Sequence, residues 1–269
     1  MKTLSRIYTA LIMVFLYAPM AVMIVFSFNS SRSTSVFGGF SLKWYGELLN
    51  DSSTIEALKN TLILAVLSSV IATVLGTLST VGIFQMKRKF VRTAIMTTTN
   101  IPMMNPDIVT GISLMLLFVF VGKLVGSDDA LGFGTMLIAH ITFNLPYVIL
   151  SVLPKLKQTD PHLSEAARDL GCTPLQSFFK VVFPSIAPGV FTGLLMAFTL
   201  SLDDFVISYF TTGPDFQTLP IKIFSMTKRR VTPDMYALST LIFLSVLLLL
   251  ILINVAQSRS DKKKEAAKV

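Results

Sequence analysis

Apolar residues run through this chain in blocks too long and too continuous for the core of a soluble domain. Six stretches, roughly 7–28, 61–84, 93–121, 135–153, 185–210 and 235–256, are mostly apolar. Each is about 20 residues or more, enough for a helix to cross the ~30 Å hydrocarbon layer. The pattern predicts an all-α integral membrane protein with six transmembrane helices. The first stretch, IYTALIMVFLYAPMAVMIVFSF, follows Lys2 and Arg6. Its apolar core exceeds that of a secretory leader and no small-x-small site follows, so it reads as a retained span. Two loops are long. The segment 29–60 contains FSLKWYGELLND, whose Trp44 and Tyr45 suit a helix lying at the membrane interface. The segment 155–184 separates the fourth and fifth spans. No tandem repeat or low-complexity linker divides the chain. The reading is a first helix and outer segment over 1–60, a five-span core over 61–256, and a basic tail over 257–269.

Charge orients these spans. Only 14% of residues are charged, against roughly 25% in soluble domains. Lys and Arg outnumber Asp and Glu by 23 to 15. Placing both termini in the cytoplasm puts Lys2, Arg6, the MKRKFVR loop, the 155–180 loop and the tail RSDKKKEAAK inside. Fifteen of the 23 basic residues then lie inside and eight outside, as positive-inside orientation requires. The exception is Lys228-Arg229-Arg230, in a predicted outer loop. Because the bases are spread over short loops between spans, they do not form a nucleic-acid face. The single Cys172 excludes an intrachain disulfide and a cysteine metal cluster. The chain has no G-x-x-x-x-G-K-[ST] loop and no Ser/His/Asp arrangement, so it is expected to be non-catalytic and free of cofactors.

Acids inside the spans are the anomaly. TLSLDDFVISYF places Asp203 and Asp204 side by side, and NPDIV places Asp107 in the third span. A charge at the bilayer centre costs at least ~2.5–3.5 kcal/mol, so such residues mark function or a specific structural role. In unbroken helices rising ~1.5 Å per residue, the pair lies about 27–29 Å and Asp107 about 21 Å from the inner ends. That places all three in the outer half. Adjacent helical positions point about 100° apart, so one of Asp203 and Asp204 is expected to face the interior while the other pairs with a neighbour. The structural alternatives are a cap on a broken helix and, for Asp107 behind Pro106, an N-cap or kink. In the fourth span His140, Asn144 and Tyr147 recur on one face. His and Asn suit bonds to a neighbouring helix, and Tyr147 suits a cation–π contact. Gly189-x-x-x-Gly193 permits close helix approach.

The loop KLKQTDPHLSEAARDLGCTPLQSFFKVVFP carries strong local signals. Asp160 reads as an N-cap with Pro161 in the first helical position. Gly171 stops the helix, and Thr173-Pro174 starts a second one ending near Pro184. Leu163, Ala166, Ala167 and Leu170 make one apolar stripe. Such a helix either packs on its own bundle or docks on a partner.

Glu165-Ala166-Ala167, Gly171, Val181 and Phe183-Pro184 resemble the EAA loop of ABC importer permeases, whose pattern is E-A-A, three residues, Gly, nine residues, Ile, one residue, Leu-Pro. The spacing is intact, with Val for Ile and Phe for Leu. FNSSRS, GFSLKWY, NPDIVTGISL, AHITFNLPYV, SLDDFVISYFTTGP and TLPIKIFSMTK extend the resemblance to the family's spermidine/putrescine permeases over nearly the whole chain. It implies a type I ABC importer permease fold in a bacterial inner membrane. The implied partners are a second homologous permease, a cytosolic ATPase homodimer that binds ATP and Mg, and a periplasmic polyamine-binding protein. Glu165, Ala166, Ala167 and Gly171 would couple to the ATPase. Asp203, Asp204, Asp107 and Tyr147 would line a polycation path. The alternatives are the same machine carrying another solute, and a stand-alone cation channel or secondary transporter, which would have no need of an EAA loop.

Overall fold

The structure is a computed structural model that describes residues 2–32, 36–126, 130–160, 162–228 and 233–266. Among them there is no β-strand, only a single bridge between Asn29 and Phe40. Five helices are long and apolar enough to cross a membrane: Leu4–Ser27, Ser52–Gln85, Asp107–Val125, Phe133–Gln158 and Pro174–Asp203. The sixth predicted span falls in a helix over Pro233–Ala266, whose apolar stretch covers Pro233–Leu248 among the described side chains. The chain divides into two compact units, Met1–Ile55 with Ile223–Val269, and Glu56–Lys222.

In the first unit, α1 (Lys2–Ser27) and α2 (Lys43–Asn50) both pack against α12 (Pro233–Ala266). The buried Asn29 organises the segment between α1 and α2. Its Nδ2 donates to Val36 O at 2.8 Å, and its Oδ1 accepts from the N–H groups of Gly38 and Ser31. Trp44 lies on α2. Its ring is buried and its Nε1 donates to Asn29 O at 2.6 Å, because an indole N–H taken out of water must find an acceptor. Tyr45 meets Ser27 Oγ at 2.7 Å and packs on Phe28.

The second unit holds α3 (Ser52–Gln85) from Glu56 onward, α4 (Lys89–Met104), α5 (Asp107–Val125), α6 (Phe133–Gln158), α7 (Leu163–Asp169), α8 (Pro174–Ser177), α9 (Phe183–Asp203) and α10 (Val206–Thr211), and the start of α11 (Leu219–Thr227). The predicted third span is two helices. Asn105 is extended, with φ −78° and ψ 143°, because Pro106 disfavours the helical region at the residue before it. Asp107 therefore opens α5 instead of lying deep in one helix, and the depth computed for an unbroken span does not hold. The predicted fifth span is also broken, between Asp203 and Val206. At its other end the helix does not stop near Pro184. Residues Phe178–Val182 form a π-turn, with Phe183 N–H reaching back to Phe178 O, and the helix runs on through Pro184.

The α6–α9 pair is the densest packing in this unit. A Cβ at Gly189 would lie 2.8 Å from Ser151 O, and one at Gly193 would lie 3.2 Å from Val148 Cα. Small residues are what allow helix backbones to approach this closely. Ala72, Val148, Val152, Leu156, Ile186 and Ala197 form the buried cluster around that seam. Gly189→Ala should destabilise the protein by about 1–3 kcal/mol through overpacking. Gly82→Ala, with nothing near its added Cβ, should be neutral or stabilising by up to about 1 kcal/mol. Thermal unfolding of the purified chain in detergent checks both, and equal shifts would contradict the packing account.

Candidate functional site

The break in the fifth span is built on Asp204. A broken helix exposes backbone N–H groups that, in a membrane, only the protein itself can satisfy. Asp204 Oδ1 accepts from Ile207 N–H at 3.3 Å and Oδ2 from Ser208 N–H at 2.7 Å, so its carboxylate caps the first turn of α10. The side chain is only 9% exposed. His140 of α6, itself buried, faces it. Nε2 lies 3.5 Å from Asp204 Oδ2 and 2.9 Å from Ser208 Oγ, and Nδ1 lies 3.2 Å from Ser201 Oγ on the last turn of α9. Ser201 Oγ also accepts from Asn144 Nδ2 at 2.7 Å and meets Ser68 Oγ of α3 at 2.8 Å. Four helices thus share one buried polar cluster. Asn144 Oδ1 is buried within it and has no protein partner among the described residues.

The other predicted residues fall outside this cluster. Asp203 is exposed, and among the described residues no hydrogen bond or ion pair holds its carboxylate. The adjacent acids therefore diverge, one paired and one open, because Asp203 ends α9 whereas Asp204 is extended, with φ −66° and ψ 120°. Asp107 is exposed in the first turn of α5, where a carboxylate is favoured by the helix dipole. Tyr147 is half-buried and packs on Phe143 with ring centroids 5.5 Å apart. Sequence reasoning missed Ser68, Ser201 and Ser208. Hydroxyls are common in membrane helices, and only the positions of Ser201 and Ser208, three before and four after Asp204, hinted at a role.

The EAA segment forms a second, separate site. α7 begins at Leu163, with His162 at its N-cap position in place of the expected Asp160. Asp160 instead accepts from His162 N–H at 2.9 Å through its side chain, and Pro161 lies outside the described residues. Gly171 ends the helix at φ +89°. Gly171 N–H bonds to Arg168 O and Cys172 N–H to Ala167 O, the paired pattern that a left-handed residue completes and that glycine adopts without strain. Thr173 and Gln176 then cap α8 reciprocally. Of the stripe, Ala167 is buried, whereas Leu163, Ala166 and Leu170 are exposed, Leu170 at 88%. Ser164 and Ser177 join α7 to α8 through a 3.0 Å hydroxyl contact. Glu165 is exposed and pairs with His162 Nδ1 at 3.0 Å. Of the basic triplet, Lys228 lies over the Phe224 ring, and Arg229 and Arg230 fall outside the described residues. Among the described residues no three His, Cys, Asp or Glu side chains gather as a metal site would require.

Comparison with known proteins follows this geometry closely. Residues 72–265 match the family described as binding-protein-dependent transport system inner membrane component. The chain is 38% identical over 250 residues to the putrescine transport system permease protein PotI of Escherichia coli, covering 93% of this chain and 89% of that one. It is 40% identical over 240 residues to the spermidine/putrescine transport system permease protein PotC of the same organism, covering 88% and 87%. Among solved structures it resembles a bacterial ABC transporter that imports the acidic polysaccharide alginate. The TM-score is 0.73 at 18% identity, over 95% of this chain and 93% of that one. The same transporter, bound to its pentasaccharide-loaded periplasmic protein, gives a TM-score of 0.72. The importer permease fold is shared.

Two outcomes follow from the site geometry. Asp204→Ala strands the N–H groups of Ile207 and Ser208 and should destabilise by about 1–3 kcal/mol, whereas Asp203→Ala should stay within about 0.5 kcal/mol. Melting temperatures of the two variants in detergent should separate accordingly, and equal losses would refute the cap. At α7, the hydrogen bond His162 donates to Glu165, the charge of Glu165 and that of Asp160 hold the His162 imidazole above its ordinary value of 6.5. The contact therefore favours the folded segment below pH 6.5 and is lost as pH rises through the raised folded value. NMR titration of histidine-labelled protein should show His162 moving toward 6.5 in Glu165→Gln. An unchanged titration would rule the pairing out.

Proposed function

Because this chain belongs to the family of binding-protein-dependent transport system inner membrane components, we propose that it is the permease subunit of an ATP-driven polyamine importer in a bacterial inner membrane. It is a multi-pass membrane subunit with no catalytic role of its own. The observation that carries the cargo is that relatives named for putrescine and spermidine transport align with 88–93% of the chain. The partners in this reading are a second homologous permease, a cytosolic ATPase pair that binds ATP and Mg, and a periplasmic protein that delivers the polyamine.

The chemistry of the open acids supports this reading. Putrescine and spermidine are short polycations with apolar linkers, so a path for them must replace water around each ammonium group with carboxylates and offer aromatic faces to the chain. Of the three span aspartates, Asp203 and Asp107 are exposed, Asp204 lies beside Asp203, and Tyr147 offers a half-buried aromatic face. The exposed side chains of α7 are the docking surface for the ATPase. Glu165 supplies the charge, Ala166 the close approach, and Ala167 and Gly171 the fixed shape. In the cycle, ATP-driven closure of the ATPase pair draws the two permeases' α7 helices together and opens the path to the binding protein. Hydrolysis returns it to the cytoplasmic side.

The test is uptake of labelled putrescine and spermidine by proteoliposomes holding the full complex, with liganded binding protein outside and ATP inside. Asp203→Asn should lower uptake about tenfold, the size of one lost hydrogen bond to a charged group, while assembly and ATP hydrolysis persist. Glu165→Ala should lower both uptake and the stimulation of hydrolysis by the binding protein. A wild-type complex that hydrolyses ATP yet carries neither polyamine would overturn the cargo assignment and leave the permease assignment standing.

A further inference from the structure

His140 touches both sides of the broken fifth span at once. Its Nδ1 meets Ser201 at the end of α9, and its Nε2 meets Ser208 and Asp204 at the start of α10. The helix that carries it is the fixed frame of this unit, seated against α9 through Gly189 and Gly193. The far end of α10 is tied to the same frame, because Thr135 Oγ1 donates to Thr211 O at 3.0 Å. Between these ties lies only the joint at Asp204 and Phe205. Asp203 stands directly before that joint, and none of the described contacts holds its carboxylate. Its direction is therefore set by the backbone at the break.

The proton arrangement makes the contact a specific one. Asp204 Oδ2 faces Nε2 at 3.5 Å and Ser208 Oγ at 2.9 Å, an arrangement that favours the tautomer with its proton on Nε2. A bare ring nitrogen there would set a lone pair against a carboxylate. With a neutral ring, Nδ1 accepts the Ser201 hydroxyl proton, and Ser201 Oγ accepts from Asn144 and Ser68, which accounts for all three of its hydrogen-bonding positions. The imidazole has a donor on one side and an acceptor on the other, spaced to bridge the two helix halves. A side chain that keeps only one of these functions holds only one half.

We propose that His140 is a positioning residue for transport, pinning the two halves of the broken fifth span to α6 and so directing the Asp203 carboxylate at the cation. The proposal rests on the reading of Asp203 as a cation contact, and its test therefore has one arm that does not depend on cargo. In that arm Asp203→Cys is introduced with Cys172→Ser in the full complex, and the rate of modification by a water-soluble cationic thiol reagent is measured. Adding His140→Leu should change that rate about tenfold, as expected when a hydrogen bond to a charged group is lost. His140→Gln, which keeps a donor near the Nε2 position, should fall between. An unchanged rate in His140→Leu would overturn the proposal. Should the leucine variant fail to assemble, His140→Gln against His140→Asn decides. Each retains one half of the bridge, so each should shift the rate, and a wild-type rate in both would overturn it.

The second arm is a double-variant cycle on polyamine uptake per ATP hydrolysed. His140→Leu should lower this ratio as Asp203→Asn does, and the combined variant should be no worse than either alone. Independent multiplication of the two losses would show that His140 acts only on stability and would overturn the positioning role. If the wild-type complex carries no polyamine, the cargo reading fails while the modification arm still decides the brace.

Discussion

A helix that breaks inside a membrane must satisfy its freed backbone groups without water, and this constraint governs how the second unit is built. Two of its helical spans are interrupted, and each interruption carries an aspartate. At α4–α5 the acid opens the new helix at its positive end. At α9–α10 it accepts two backbone N–H bonds and faces a buried histidine. A carboxylate can do what a neutral cap does while also responding to a nearby cation. This explains why acids unfavourable in lipid occur where the chain bends. The serines, Asn144 and His140 around Asp204 are the surroundings a buried anion needs if it is not to destabilise the fold.

The two breaks differ in how far the sequence reveals them. Pro106 signals the first, and a kink or cap beside Asp107 is legible from it. Nothing of that kind marks the second. Residues 199–210 contain neither proline nor glycine, and the periodicity reads as one continuous span. The break exists because Asp204 outcompetes the helix for the N–H groups of Ile207 and Ser208, with His140 holding it in place from 64 positions away in sequence. Propensity carries no information about a partner so distant. The divergence of Asp203 and Asp204 has the same origin, because the chain leaves the helix at Asp204. The burial of Trp44 was illegible for a related reason, because its acceptor, Asn29 O, belongs to a turn that no pattern announces.

The glycine stop and the second helix start at Thr173-Pro174 were the most legible features of the EAA segment, because their determinants are local. The predicted stripe and the Asp160 cap were less so: only Ala167 of the stripe is buried, and His162 takes the N-cap position. What spacing could not supply is how the segment joins the helix behind it. The sequence suggested a stop near Pro184, yet a π-turn carries the chain through. Phe183 N–H closes the π-turn on Phe178 O, and Pro184 follows it with no N–H to donate. Single π-turns of this kind recur at functional positions in helices.

That continuity gives the molecule a physical line from one site to the other. α7 is bonded to α8 through Ser164 and Ser177, α8 runs without interruption through the π-turn into α9, and α9 ends at Asp203. α9 is seated on α6 through Gly189 and Gly193. In the proposed cycle, a displacement applied at α7 would be carried along this helix to the joint beside Asp204. The energy available there is set by a few hydrogen bonds to one imidazole, each worth about 1–3 kcal/mol when it involves a charged partner. That is the range of coupling energies by which one site biases another.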